Sequence, residues 1–277
     1  MKTFHPPRNA IDHVMQQLKR EGIVHPEAKF HHEAEQGLRR EVTYRDFDLQ
    51  YRLARSPHEE AIVEAAREML VSLDLIPADA RYSSAAFAAL RRQVKERFES
   101  KWTTVTPVME HLIYMLTAVR RPKRLVELGC FWGYTLAWFA GPCIGPDREY
   151  HAEKVYGIDI DTAMIQLAEQ NFARLDNTES VQLIGRDAAT VLPTIEGPID
   201  FIYLEAKDDN NGNGYLEFLK IAYDKIPPKG WVIAHDSTAW KHQDDLKPYL
   251  TWVRDPNNFS ESISFDIDPF GLELSVK

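Results

Sequence analysis

The chain has 277 residues, of which 44% are hydrophobic and 11% aromatic, enough to build a core without disulfide or metal support. Its 33 basic and 42 acidic residues give a net charge of −9, which disfavours a broad phosphate-binding surface and therefore a nucleic-acid partner. Two cysteines, Cys130 and Cys143, are too few for a disulfide framework, and no apolar run has the length of a membrane span or the form of a signal peptide. We therefore expect a soluble, cytoplasmic protein with no membrane partner.

The first part of the chain is predicted to consist of helices and loops. Apolar residues recur at helical spacing in the stretches 9–22, 57–73, 84–102 and 107–121. No catalytic motif is recognisable before this rhythm changes near residue 124. We assign residues 1–103 to a helical N-terminal section, which could act as a lid or a dimer arm, and residues 104–277 to the domain that carries the chemistry.

Short β-branched runs alternate with helical patterns from Arg124 onward. This alternation predicts an α/β fold with a doubly wound, mostly parallel, Rossmann-like sheet. The last stretch, 261–277, predicts an antiparallel hairpin that turns at "DPFG" and lies at one edge of the sheet. The predicted strands are 124–128, 154–159, 181–185, 200–205 and 230–236, and the helices between them are 134–140, 161–175 and 213–226.

An acid and two glycines mark the end of the first predicted strand, in the order Glu127, Gly129 and Gly133. Ligands of such sheets bind beyond the carboxyl ends of the strands, where glycines allow tight turns and close approach of the backbone. A dinucleotide fingerprint would have glycine at Phe131, and Glu127 would repel a diphosphate. The pattern instead suits a ligand with a cationic centre, such as S-adenosylmethionine, although a purely structural turn is an open alternative.

Acidic residues also follow the next two predicted strands. Asp159 is placed to accept hydrogen bonds from ribose hydroxyls, whereas Asp161 is better explained as the N-cap of the following helix. Asp187 could accept from an adenine amino group while Ala188 offers its backbone N–H, and a helix cap is the alternative for Asp187. Three acids at three successive strand ends favour one shared ligand site.

The motifs of residues 106–277 together resemble the class I S-adenosylmethionine-dependent O-methyltransferases of the catechol and caffeoyl-CoA group. The resemblance rests on "TPVMEHLIYMLTAV", "VELGCFWGYT", "GIDIDTAMIQLAEQNF", "GRDA", "IDFIYLEAKDD", "GWVIAHDSTAW" and "DPFGLELSVK", which follow one another in the family's order. It implies a methyltransferase fold and S-adenosylmethionine as cofactor. The residues it assigns to the cofactor are Glu127, Gly129, Phe131, Gly133 and Thr135 at the methionine end, Asp159 at the ribose, and Asp187 with Ala188 at the adenine.

The resemblance also implies a divalent cation held by two acids and an asparagine after the fourth and fifth strands. Glu205 and Asp236 occupy the two acidic positions, and Ser237 stands where the family has asparagine. The two carboxylates suit Mg²⁺ or Mn²⁺, whereas the Ser237 hydroxyl is a poorer ligand than an asparagine carbonyl, and His235 as a substitute ligand would favour a transition metal. The cation would lower the pKa of the substrate hydroxyl and orient its oxygen.

A lysine after the first metal-binding acid serves the family as the base that removes the hydroxyl proton. Lys207 is the candidate here, one position earlier than the family pattern, where Asp208 falls. The predicted activity is methyl transfer to a phenolic or enolic hydroxyl of a small molecule, by a homodimer. Two alternatives are a methyltransferase acting on tRNA hydroxyuridine and a non-catalytic module that binds the cofactor.

Overall fold

Strands and helices alternate along the chain from residue 124 onward, as the sequence predicts. The computed structural model describes residues 2–4, 59–99, 105–206, 214–238, 243–268 and 270–277. The strands of this part are β1 (Lys2–Phe4), β2 (Arg124–Leu128), β3 (Lys154–Asp159), β4 (Val181–Gly185), β5 (Phe201–Leu204), β6 (Trp231–His235), β7 (Glu261–Phe265) and β8 (Leu272–Val276). The parallel strands and the terminal hairpin predicted from the sequence are confirmed.

All of these strands join one sheet in the order β1-β7-β8-β6-β5-β2-β3-β4. The strands β2 to β6 run parallel to one another, and β8 is antiparallel to both β6 and β7. The predicted doubly wound, mostly parallel sheet with a C-terminal hairpin is therefore confirmed. The hairpin does not form the edge, however, because β1 pairs in parallel with β7 and lies outside it.

Helices cover both faces of the sheet, and most of them coincide with the predicted helical patterns. The predicted helix over 9–22 lies outside the described residues, and α6 and α8 were not predicted. The helices are α1 (Glu59–Ser72), α2 (Ser84–Arg97), α3 (Pro107–Arg120), α4 (Tyr134–Phe139), α5 (Thr162–Phe172), α6 (Ala188–Val191), α7 (Gly214–Ala222) and α8 (Gln243–Val253).

Side chains of the central strands alternate between two hydrophobic clusters, one on each face of the sheet. On β5, Phe201 and Tyr203 join one cluster, while Ile202 and Leu204 join the other. Both faces are buried, which explains why the central strands read as continuous apolar runs rather than as alternating ones. Glu127 is in register with Tyr203 on the neighbouring strand, so its side chain lies on the same face as the Tyr203 ring.

The helices α1, α2 and α3 pack against that same face rather than forming a core of their own. Their buried apolar side chains belong to the hydrophobic cluster that contains Phe201 and Tyr203. Helix α3 begins with a Thr106 cap that accepts from the Met109 amide, and it ends at Arg121 in a left-handed conformation. The domain boundary between residues 103 and 104 stays a prediction.

None of the helices in the described part of the chain combines the length and apolar character required to cross a membrane.

Candidate active site

The strand order reverses at β2, whose neighbours are β3 on one side and β5 on the other. The chain leaves β2 and β5 towards opposite sides of the sheet at their carboxyl ends, which opens a crevice where ligands of such folds bind. Glu127 is the penultimate residue of β2, and Glu205 directly follows β5. The acid predicted to line the methionine end of the cofactor and the first of the predicted metal-binding acids therefore lie at this crevice.

Glu127 carries the most unusual electrostatic environment of the site. Its side chain is fully buried, and neither carboxylate oxygen has a hydrogen-bond partner among the described residues. Burial raises the pKa of Glu127 well above its ordinary value, and the nearby charges of Glu205 and Asp159 raise it further. A buried carboxylate without a partner costs folding free energy, so this position fits a ligand that brings a positive charge.

The two glycines after β2 allow close packing within the chain, and their predicted role in the approach to a ligand stays a prediction. Gly129 and Gly133 both have a φ of +83°, which favours glycine. A Cβ at Gly129 would lie 2.7 Å from the backbone nitrogen of Ala206, and one at Gly133 would lie 2.8 Å from the Phe172 ring. The glycines therefore let the segment 129–135 pack closely against Ala206 and Phe172. This segment is called the cofactor loop below, because the cofactor is predicted to bind along it.

Replacing Gly129 by alanine is expected to lower the free energy of unfolding by about 2–4 kcal/mol, because the left-handed φ and a backbone clash add up. Chemical denaturation measures this difference. The matched control is Gly145→Ala, where φ is also positive, at +78°, but the nearest atom to the added Cβ is a Leu90 methyl at 3.4 Å. Equal losses in the two variants would contradict the packing role of Gly129.

Asp159 holds the cofactor loop in place. Its Oδ2 accepts from the Phe131 amide at 2.8 Å, and its Oδ1 accepts from the Asp161 amide at 2.9 Å. Phe131 has a φ of +48°, an uncommon conformation for a bulky residue. A carboxylate can accept about four hydrogen bonds, so Asp159 retains capacity for the hydroxyls of a ribose.

The third predicted acid, Asp187, is a helix cap in the structure. Its Oδ1 accepts from the Ala189 amide at 2.8 Å at the start of α6, and its side chain is exposed. Asp161 caps α5 in the same way and confirms its prediction. The adenine contact of Asp187 and Ala188 stays a prediction, although Ala188 is buried beside this cap.

A second acidic group surrounds His235 at the end of β6. The Nδ1 atom of His235 lies 3.3 Å from Glu205 Oε1 and 3.7 Å from Asp236 Oδ1, distances of ionic contacts rather than of aligned hydrogen bonds. Burial favours the neutral imidazole, but the charges of Glu205, Asp236 and Asp268 outweigh it and raise the pKa of His235 to about 9. The imidazole ring therefore shares the space next to both predicted metal-binding acids.

Two of the predicted metal ligands, Glu205 and Asp236, lie beside the same imidazole, and the third, Ser237, follows Asp236 in the chain. Their oxygen atoms are compatible with a hard cation. Glu205 Oε2 and Ser237 Oγ are buried and have no hydrogen-bond partner within the described ranges. These ranges contain no group of three or more His, Cys, Asp and Glu side chains placed to hold a metal ion. Mg²⁺ is commonly held by one or two carboxylates with water completing its shell, so two acids and a hydroxyl meet its needs. Lys207 lies outside the described residues.

Comparisons with known proteins identify the same part of the chain as similar to methyltransferases. A family model described as a methyltransferase domain matches residues 126–237. This part of the chain is therefore similar to a methyltransferase domain, and it is called the methyltransferase domain below after this match. It begins within β2 and ends just after β6, and it therefore contains Glu127, Asp159, Glu205 and Asp236.

Two curated relatives that match part of the chain are O-methyltransferases. An O-methyltransferase of Aspergillus hancockii, hkm8, is 32% identical over 119 residues, which are 43% of this chain and 44% of the relative. A caffeoyl-CoA O-methyltransferase of Stellaria longipes is 24% identical over 155 residues, 54% of this chain and 60% of the relative. The chain spans about half the length of the curated relatives it matches.

The fold of the methyltransferase domain also recurs in a solved structure. The S-adenosylhomocysteine-bound methyltransferase of Podospora anserina superposes with a TM-score of 0.53 at 20% identity, covering 76% of this chain and 94% of that protein. At this identity the similarity shows the fold alone. It confirms the predicted class of fold independently of the motifs.

Two buried tyrosines of the methyltransferase domain were missed by the sequence interpretation. The hydroxyls of Tyr203 and Tyr215 have no hydrogen-bond partner in the described part of the chain. Burial raises both phenol pKa values, and the charge of Glu205 adds to the effect in both cases. In the sequence both residues look like core aromatics, and the only signal for Tyr203 is its position two residues before Glu205, which directly follows the strand.

Proposed function

We propose that the chain is an S-adenosylmethionine-dependent O-methyltransferase that moves a methyl group to a hydroxyl of a small molecule. The observation that carries the proposal is the buried, unpartnered carboxylate of Glu127 at the switch point of the sheet. A cationic ligand would balance this charge, whereas the diphosphate of a dinucleotide would be repelled by it. The relatives named above are O-methyltransferases, and one solved neighbour holds S-adenosylhomocysteine, which supports the same cofactor for this chain.

The cofactor is proposed to lie across the carboxyl ends of β4, β3 and β2. Its adenine would contact Asp187 and Ala188, and its ribose hydroxyls would donate to Asp159. Its methionine end would lie along the cofactor loop, where the resemblance assigns Gly129, Phe131, Gly133 and Thr135. This order places the sulfonium closest to β2 and β5, on the side of Glu127 and Glu205.

The reaction requires the chain to bring the acceptor oxygen into line with the methyl group and the sulfur. The oxygen forms a bond to the methyl carbon while the bond between that carbon and sulfur breaks. The electron pair of the broken bond stays on sulfur and gives S-adenosylhomocysteine. The hydroxyl proton passes to a base, for which we propose Lys207. Holding both partners in this geometry supplies most of the rate enhancement that methyl transfer needs.

A divalent cation is part of the proposal, with Glu205, Asp236 and Ser237 as its protein ligands. When bound, such an ion lowers the pKa of the acceptor hydroxyl and fixes the position of its oxygen. The carboxylates of Glu205 and Asp236 both contact the buried His235 imidazole, which restricts their orientation. Asp236 directly follows β6 and has a φ of +62°, an uncommon backbone conformation for a residue other than glycine.

Transfer of a labelled methyl group tests the activity directly. Folded protein is incubated with S-adenosylmethionine labelled in the methyl group and a panel of phenols, enols and aliphatic alcohols, with and without Mg²⁺. We expect label in at least one hydroxyl compound and an equal amount of S-adenosylhomocysteine. Cofactor binding without transfer to any hydroxyl compound, but with transfer to tRNA, would favour the tRNA alternative instead.

Replacing Glu205 by alanine is expected to weaken Mn²⁺ binding at least tenfold, because one of two carboxylate ligands is lost. Mn²⁺ titration followed by electron paramagnetic resonance measures the affinity without requiring the acceptor. Glu169→Ala, an exposed acid on α5, is the control and should leave the affinity unchanged. Equal Mn²⁺ affinity in wild-type protein and Glu205→Ala would remove the metal site from the proposal.

The setting of the enzyme is also part of the proposal. We expect a homodimer in the cytoplasm, as the resemblance implies, with a small-molecule acceptor rather than nucleic acid. The net charge of −9 supports the last point, since phosphate contacts need clustered lysines and arginines. Light scattering of the purified chain measures the oligomeric state, and a monomer at micromolar concentration would contradict the dimer.

A further inference from the structure

Five charged or titratable side chains from α1, α2 and α3 form a buried charge cluster, which lies outside the methyltransferase-domain match. Arg91 Nη1 contacts Glu59 Oε1 at 2.8 Å, and Arg91 Nε lies 3.0 Å from Glu110 Oε2. Lys95 Nζ contacts Glu110 Oε1 at 3.1 Å, and His111 Nδ1 lies 2.8 Å from Glu59 Oε1. Of these five residues only Lys95 is substantially exposed.

A buried charge cluster between three helices costs more folding free energy than an apolar contact would. Removing charges from water costs several kcal/mol per ion, and apolar residues of similar size often give equal or greater stability. Two acids, Glu59 and Glu110, face two cations, Arg91 and Lys95, so the charges within the cluster balance. Stability alone does not explain why charged groups occupy this place, and the contacts of Glu110 indicate a more specific role.

Glu110 connects the buried charge cluster to the cofactor loop. The hydroxyl of Tyr134 donates to Glu110 Oε1 at 2.6 Å, a charge-assisted hydrogen bond inside the protein. Tyr134 is the first residue of α4, between Gly133 and Thr135 of the loop. The fully buried Glu110 carboxylate is therefore fixed by Arg91 and Lys95 on one side and fixes the end of the cofactor loop on the other.

A second link, made through α5, joins the segment after α2 to the middle of the loop. Asn171 on α5 donates from Nδ2 to the Trp132 carbonyl and to the Glu99 carbonyl, both at 3.2 Å. The Glu99 amide donates back to Asn171 Oδ1 at 2.8 Å. The segment that ends α2 thus holds Trp132 through a buried amide, while α3 holds Tyr134 through a buried carboxylate.

We propose that Glu110, held by Arg91 and Lys95, is a positioning residue for the cofactor's methionine end and acts through Tyr134. The helices before the methyltransferase domain are then a working part of the cofactor site rather than a separable lid. This inference rests on the proposed function. Its physical basis is that a shift of about 1 Å in a binding segment can cost up to 100-fold in a binding or catalytic constant.

The test compares two tyrosine-to-phenylalanine variants, each of which removes one buried hydroxyl. In Tyr134→Phe the loop loses its bond to Glu110, whereas in the control Tyr114→Phe the bond that is lost, 2.8 Å long and accepted by Glu149 Oε1, involves no residue of the loop. Calorimetry measures the affinity of each variant for S-adenosylhomocysteine and for 5′-methylthioadenosine, which lacks the amino-acid tail.

We expect Tyr134→Phe to lower the affinity for S-adenosylhomocysteine about tenfold and to keep the affinity for 5′-methylthioadenosine within about twofold of wild type. Tyr114→Phe should bind both ligands like wild type. Loss of affinity for both ligands in Tyr134→Phe would indicate general disruption and overturn the positioning role. Unchanged affinity for both would overturn it as well. Wild-type protein that is folded but binds neither ligand would instead refute the proposed function and the inference with it.

A second variant guards against a folding defect. Lys95→Met removes one cation from Glu110 at the most exposed member of the cluster, so the fold should tolerate it. We expect the same selective loss of S-adenosylhomocysteine affinity, smaller than in Tyr134→Phe, and no further loss when the two changes are combined. Additive losses in the double variant would show that Lys95 and Tyr134 act independently, which contradicts action through Glu110.

Discussion

Glu127→Gln is expected to weaken binding of S-adenosylmethionine roughly 10- to 100-fold while it raises the stability of the ligand-free protein. The wild-type carboxyl group is fully buried without a hydrogen-bond partner in the described chain, and burial raises its pKa, so its charged form is stabilised only when a cationic ligand binds. Glutamine keeps the shape and removes the charge. The gain in the free energy of unfolding should be about 1–3 kcal/mol near neutral pH.

The pH dependence of this gain follows from the pKa of Glu127, which burial raises above the ordinary value of 4.5. Above pH 4.5 the unfolded chain has released this proton while the folded chain still binds it, so wild-type stability falls as pH rises towards the folded pKa. The glutamine variant cannot ionise at this position and does not lose stability in this way. The difference in the free energy of unfolding between the variant and wild type should therefore grow as pH rises from 4.5 towards the folded pKa. Denaturation at several pH values measures it, with Glu169→Gln as the exposed control. A variant less stable than wild type throughout would contradict the account.

Arg91→Met is expected to lower the free energy of unfolding by about 3–5 kcal/mol, the largest loss among the substitutions considered. Arg91 is the central cation of the buried charge cluster and contacts both Glu59 and Glu110. It also donates from Nη2 to the Pro107 carbonyl at 2.7 Å, at the start of α3. Methionine fills a similar space but leaves the two carboxylates without their shared cation.

Chemical denaturation measures this loss, and Arg92→Met on the exposed side of the same helix is the control. The pH dependence has a definite sign. Burial raises the pKa of Glu59, but the hydrogen bond with His111 and the charge of Arg91 outweigh it, so the folded pKa lies below the ordinary 4.5. That stabilisation is present above pH 4.5 and disappears as pH falls through the folded pKa, so the difference between wild type and Arg91→Met should shrink in acid. A constant difference would contradict the ionic origin.

The strands that carry the site were predictable because local sequence specifies them strongly. Residues 124–128 and 154–159 are bounded as predicted, since β-branched runs between turn signals need no distant partner to be recognised. Strand β1 could not be recognised, because only three residues, Lys2–Phe4, form it and their pairing with β7 is made across almost the whole chain. Helix α8 was missed, and it contains Pro248, a residue that local patterns associate with helix ends.

The site divides in the same way between local and distant information. Glu127, Asp159 and Glu205 were predictable because a parallel sheet brings the carboxyl ends of its strands to one side. The clash that makes Gly129 necessary was not, because Ala206 lies on another strand end. Asp268 belongs to the predicted "DPFG" turn, yet its bond from the Thr106 hydroxyl, which ties the hairpin to α3, joins residues 162 positions apart.

A crystal structure of the protein with S-adenosylhomocysteine tests the central claim most directly. We expect the ribose hydroxyls to contact Asp159, the methionine end to lie along the cofactor loop, and the sulfur to lie between the carboxyl ends of β2 and β5. A ligand bound elsewhere, or one with its amino-acid tail pointing away from Gly129 and Thr135, would contradict it.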